Sequence, residues 1–148
     1  MKILFACVLI FLAVVGSAQN KAITETQKKE IIALVGKYSE AREKRDTVLL
    51  KSILTSDIDQ LVSTGEWRTG VNEAVKGMLR SSQNSPGTRT LIVEKVRLLD
   101  AKSAIADARY EIQNVDGNIR KMWSMFVVIY EKGTWKISAI RNMLPAGQ

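Results

Sequence analysis

The sequence predicts an α+β domain in which N-terminal helices pack on one face of an antiparallel sheet. Three observations carry this. Between Thr24 and Arg80 apolar residues recur at spacings of three and four, the helical period. From Thr88 to Met143 the chain forms four strand-like runs separated by short turns, the pattern of successive hairpins. With 148 residues, 46% of them hydrophobic, there is apolar material for the core of one domain.

Thr24 to Arg45 places Ile31, Leu34, Val35, Tyr38, Ala41 and Arg45 on one stripe, with Thr24 and Gln27 spaced as a capping box. Asp46 is an N-cap for a short second helix, Thr47 to Leu54. Ile58 to Ser63 reads as a short strand, turned at Gly65-Glu66 into Trp67-Arg68. Gly70 to Arg80 is a third helix, and Ser81 to Gly87 a polar loop. The strands are Thr88 to Leu99, Ser103 to Gln113, Asn118 to Glu131 and Thr134 to Met143. Their short connections make neighbours pair antiparallel.

Alternation assigns faces. Ala104, Ala106, Ala108, Tyr110 and Ile112 share one side of their strand; Ile105, Asp107, Arg109 and Glu111 share the other, wet side. In the last strand Trp135, Ile137, Ala139, Arg141 and Met143 share a parity, which points Arg141 to the core side. Such a guanidinium either binds a carboxylate or phosphate or pairs with a structural carboxylate at the sheet rim. Met122 to Tyr130 is apolar on both faces, and helices can cover only one. A homodimer packed through the outer sheet face is the expected second cover.

Residues 1–18 read as an address. Met1-Lys2 precedes an uncharged run from Ile3 to Val15, then Gly16-Ser17-Ala18, after which the chain turns polar. That is a secretory signal peptide pattern. The other reading, a spanning anchor, needs about 20 apolar residues, and this run is shorter. The expectation is an exported domain, periplasmic or secreted, of residues 19–148, with no membrane attachment after cleavage. Cys7 leaves with the signal, so the mature domain has no thiol and no disulfide.

The chain has no His. Together with the lost thiol, this excludes histidine triads, thiol nucleophiles and His/Cys metal sites, so no metal is expected. No glycine-rich phosphate loop is present, so no cofactor is expected. The net charge is +7, from 22 basic against 15 acidic residues. The charges are interleaved, as in Arg42-Glu43-Lys44-Arg45-Asp46, with no aromatic-interleaved basic motif, and nucleic acid is not an expected partner.

Four motifs in order resemble a known family: Tyr38-Ser39-Glu40-Ala41 followed by Asp46 and Leu50; Thr64-Gly65-Glu66-Trp67-Arg68-Thr69-Gly70; Ala108-Arg109-Tyr110; and the run from Gly133 through Trp135, Ile137 and Ala139 to Arg141-Asn142. They resemble the nuclear-transport-factor-like cone fold, in particular its SnoaL-like branch and the SgcJ/EcaC-type group, over Thr24 to Met143. The resemblance implies a curved, cone-shaped sheet with three helices on its concave face, an apolar pocket between them, and usually a dimer. Where such relatives commonly carry a His before the last-strand Asn, this chain has Arg141. Where many carry a Trp on the first helix, it has Arg42. Both changes suggest a pocket that accepts an anion.

The candidate ligand-binding residues are Tyr38, Arg42, Trp67, Tyr110, Trp123, Met125, Arg141 and Asn142, aromatic or apolar walls with two cations. Acid–base chemistry would have to rest on Asp, Glu, Tyr or Lys. Asp107, the acid in mid-strand, faces away from the alanines, and no catalytic residue is assigned. The leading expectation is an exported protein binding a small apolar or anionic molecule. The alternatives are an isomerase, cyclase or dehydratase acting on a small apolar or carboxylated substrate, and a ligand-free dimeric interaction module.

Overall fold

The computed structural model describes residues 22–146. The signal peptide expected at residues 1–18, with Cys7, lies outside the described residues.

The chain runs α1 (Glu25–Glu43), α2 (Thr47–Ile53), β1 (Leu54–Leu61), β2 (Trp67–Thr69), α3 (Val71–Asn84), β3 (Gly87–Leu98), β4 (Ser103–Asn114), β5 (Ile119–Glu131) and β6 (Thr134–Met143). Helix α1 begins at the capping box: Gln27 N–H donates to Thr24 Oγ1, and the Gln27 side chain accepts from the Thr24 N–H. It ends where Arg45 takes a φ of 55°, a turn that lets Asp46 cap α2 through the Leu49 N–H. Arg45 is therefore exposed, and Arg42 continues the buried stripe in its place.

Six strands form one sheet in the order β2-β1-β6-β5-β4-β3. The meander β3 to β6 is antiparallel, as the short turns require. Its last hairpin turns on Lys132 (φ 49°) and Gly133 (φ 82°), and glycine makes the second left-handed position easy. The sheet is mixed, because β1 lies parallel to β6. No turn signal reports that pairing, since the partners come from opposite ends of the domain. Helix α3 runs on through Ser81 to Asn84, a stretch whose polarity reads as loop; its carbonyls at Ser81 and Ser85 are held by the Arg89 guanidinium, a cation at a helix C-terminus.

The core lies between the helices and the concave side of the sheet. Ile31, Val35 and Tyr38 of α1 meet Phe126, Val128, Ile137 and Ile140. Tyr38 and Phe126 pack edge to face with centroids 5.4 Å apart. Ala104, Ala106 and Ala108 are fully buried, so the small side chains of β4 admit helix α1.

One irregularity reassigns a face. Val127 pairs with Ala139 but Val128 pairs with Ile137, so Ser138 is an extra residue bulged out of β6. The bulge reverses the parity of the strand's C-terminal half. Ile140 and Asn142 face the concave side, opposite Phe126 and Ser124. Ala139, Arg141 and Met143 face the convex side. The inward placement of Arg141 expected from strict alternation is thus corrected by one inserted residue.

Candidate functional site

The main core stops short of one end of the cone. There Tyr110, Ile112 and Met122 form a separate small apolar cluster. It is the floor of an open cleft of about 200 Å³. The walls are the end of β1, the β1–β2 turn, the C-terminal half of α3 and the last turn of α1. Among the described residues, five arginines line it, Arg42, Arg68, Arg80, Arg89 and Arg120, against one carboxylate, Glu66.

Arg68 and Arg80 are spent on that carboxylate. Arg68 is buried and grips both Glu66 oxygens, at 3.1 and 3.3 Å, while also donating to Gln60 (3.2 Å) and Ser81 Oγ (2.9 Å). Arg80 reaches Glu66 at 2.6 Å. These guanidinium bonds, Arg68 first, hold the Glu66 carboxyl below the ordinary carboxylate range. Arg68 fits only because residue 77 of α3 is glycine: a Cβ there would collide with the guanidinium.

Among the described residues, the other three arginines have no carboxylate partner. Arg42 is 6% exposed and donates only to hydroxyls, Tyr38 Oη at 3.1 Å and Ser82 Oγ at 3.4 Å. Its Nε–H has no partner. Arg89 spends its terminal nitrogens on the carbonyls of Ser85 (2.6 Å), Gly87 (3.2 Å) and Ser81 (3.5 Å), and its buried Nε is also unpartnered. Arg120 donates to Ser63 Oγ. Burial pushes the Tyr110 hydroxyl up, while Arg42 and Arg89 pull it back. At neutral pH Tyr110 is therefore a neutral hydroxyl, able to donate.

No family model matches the chain, and no curated protein matches it. Solved structures do. A cystatin-like domain of unknown function from Nostoc punctiforme superposes with a TM-score of 0.74 at 15% identity, covering 83% of this chain and 80% of its own. An NTF2-like protein with a cystatin-like fold from Novosphingobium aromaticivorans gives 0.71 at 16% identity, with 82% and 83% covered. The fold is the NTF2-like, cystatin-like cone. An NTF2-like protein of unknown function from Shewanella oneidensis, at a TM-score of 0.65 and 15% identity, is covered over 98% of its length by 78% of this chain. At these identities the likeness speaks of the fold alone.

Of the residues singled out from the sequence, Arg42, Tyr110 and Asn142 meet on this cleft. Asn142 is held by Ser124 Oγ at 2.6 Å. Tyr38 stands behind Arg42 in the core and orients it, its ring 5.7 Å from the guanidinium carbon. Trp67, Trp123, Met125 and Arg141 lie on the convex face instead. Trp67 is 56% exposed and lies 4.8 Å from the Arg141 guanidinium. Arg141 forms a bidentate pair with Asp59, at 2.9 and 3.0 Å, which is the sheet-rim ion pair. The expected apolar pocket is, in this cone, a cleft with a small apolar floor and cationic walls.

Arg68, Arg89 and Arg120 line the cleft without being among the site residues expected from the sequence. Two of them carried a legible signal. Arg89 shares parity with Leu91 and Val93, and Arg120 with Met122 and Phe126, so both stand on core faces. Arg68 did not, because Trp67 beside it is the more persuasive inward residue.

Proposed function

We propose that this chain is an exported binding protein whose cleft holds a small organic acid. The observation that carries the reading is Arg42, a buried guanidinium without a carboxylate among the described residues, with only two of its five N–H donors bonded and its buried Nε–H unpartnered. Burying an unpaired charge costs several kcal/mol, and a well-packed apolar residue there would avoid it. An anion in the cleft supplies the missing partner. The cleft of about 200 Å³ is smaller than the pockets that take drug-sized ligands, so a small acid suits it. The chemistry of Glu66 favours binding over catalysis: two arginines hold its carboxyl low, which makes it a weak base. Kinship with the SnoaL-like branch rests on the four sequence motifs. Export rests on the pattern of residues 1–18 and predicts a secreted or periplasmic protein whose first residue is Gln19.

A second copy is the proposed cover for the convex face. Trp123 and Met143 are 40% and 47% exposed there, beside half-buried Met125, Val127 and Ile105. Sedimentation at micromolar concentration should report twice the chain mass; a monomer alone would reject the dimer and leave the cleft reading untouched.

The test of the binding reading is thermal denaturation of the mature protein with hexanoate and with hexanamide. Hexanoate should raise the melting temperature saturably and the neutral amide should not. Equal shifts with both, or none with any small carboxylate, would reject acid binding.

A further inference from the structure

The three arginines without a carboxylate are not clustered at one point. Arg89 pairs across the sheet with Ile112, and Ile112 with Arg120, so the three residues form one row over β3, β4 and β5. The outer two backbones are two strand spacings apart, about 10 Å. All three residues line the same cleft. The next row begins the remainder of the apolar floor: Tyr110 pairs with Met122. Helix α1, which carries Arg42, packs against β3, the strand of Arg89, so the two arginines stand on one side of this floor, where both pull on the Tyr110 hydroxyl. Arg120, held by Ser63 beyond β1, stands at the other.

This arrangement has a distinct chemical meaning. A single carboxylate can engage one end, leaving the guanidinium at the far end facing solvent. A compact dianion such as phosphate concentrates both charges at one end and leaves Ile112 and Met122 without an apolar partner. We infer that the ligand is a dicarboxylic acid, with one carboxylate received by Arg42 and Arg89 beside Tyr110, the other by Arg120, and an apolar body lying on Ile112 and Met122. The inference rests on the small-acid reading above and adds a second acidic group to it. Each guanidinium offers a planar fork of donors that matches a carboxylate. Arg42 donates to two hydroxyls and Arg120 to one, which leaves most of their five N–H donors for a ligand, while the Nε–H groups of Arg42 and Arg89 are buried and unpartnered. Glu66 cannot serve in the ligand's place, because Arg68 and Arg80 already hold it.

Isothermal titration of the mature protein with adipate, hexanoate and inorganic phosphate separates the possibilities. Adipate and hexanoate share the carbon chain and differ in the second acid. Adipate is expected to bind about tenfold or more tightly than hexanoate, an increment typical of one added charge-assisted contact. Arg120→Met is expected to bring adipate down to the hexanoate level, while Arg120→Lys, which keeps the charge, retains part of the preference. Far-ultraviolet circular dichroism of both variants reports whether they fold, and the wild-type comparison decides the question if neither does. Equal affinity for adipate and hexanoate overturns the dicarboxylate and leaves small-acid binding standing. No binding of either overturns both. Phosphate tighter than adipate, or a tenfold preference that survives in a folded Arg120→Met protein, overturns the two-ended assignment.

Discussion

Replacing Arg42 by Met tests whether its burial serves a ligand or the fold. The wild-type guanidinium sits at 6% exposure, bonded to two hydroxyls and to no carboxylate. Removing a buried charge and filling its volume with an apolar side chain returns a desolvation cost of several kcal/mol. Against this, two hydrogen bonds to a charged group are lost, about 1.5–3 kcal/mol each, with Tyr38 left as a buried hydroxyl lacking its donor. The terms oppose each other at similar size. Arg42→Met without ligand should therefore unfold within about 1.5 kcal/mol of the wild type. Adding Tyr38→Phe removes the orphaned hydroxyl and should recover about 1 kcal/mol. The assay is urea denaturation followed by tryptophan fluorescence, with and without a dicarboxylate. At a hundred times its dissociation constant the ligand adds about 2.7 kcal/mol to the wild type, and at the same concentration should add no more than about 1.4 kcal/mol to Arg42→Met, the figure for a tenfold weaker site. A loss of more than about 3 kcal/mol in the absence of ligand would refute the reasoning. Arg42 would then be a structural keystone whose burial says nothing about an acid.

Three further outcomes follow from the geometry. Gly77→Ala should destabilise by about 1–3 kcal/mol in denaturant melts although alanine favours helices, because the new methyl displaces Arg68; the same change in an Arg68→Ala background should cost much less. The Glu66 carboxyl is held below its ordinary 4.5, so its ion pairs stabilise the fold above that pH and are lost as pH falls through the lowered value; Glu66→Gln should flatten the wild-type loss of stability in acid, measured by melting temperature from pH 6 downward. Arg141→Met removes a half-exposed ion pair on the convex face, should cost no more than about 1 kcal/mol, and should leave titration of the cleft with adipate unchanged.

The fold was legible because its signals are local. The Thr24 capping box, the Asp46 cap and the Lys132-Gly133 turn each act through bonds to near neighbours, and each occurs where the chain announces it. The face of β4 followed from alternation alone, and Asp107 stands outside the cone as that parity requires. What could not be read depends on distant partners. The parallel pairing of β1 with β6 joins residues far apart in sequence, and α3 continues over Ser81–Asn84 because Arg89, on the next strand, neutralises its exposed carbonyls. The site was half legible for the same reason. Arg42 stood out through a family resemblance, whereas Arg141 was misplaced by a bulge that leaves no mark in the composition of Ser138 and its neighbours.

That bulge also explains how the cone can carry so much unpaired charge at one end. By turning Arg141 outward it gives the guanidinium a carboxylate, Asp59, on the convex rim, and removes it from a cleft that already holds five arginines. In the same step it turns Asn142, a neutral residue anchored by Ser124, inward to the cleft. The large apolar core, from Ile31 and Tyr38 to Phe126 and Ile137, is built elsewhere and meets the cleft through Arg42 with its Tyr38 support and through Leu91, which packs on both the core and the cleft floor. Stability and binding are thus assigned to different ends of one sheet. Substitutions of Arg89 or Arg120 alter the charge of the cleft without opening a cavity in that core, whereas Tyr38 belongs to both, and its loss would be felt in folding and in binding together.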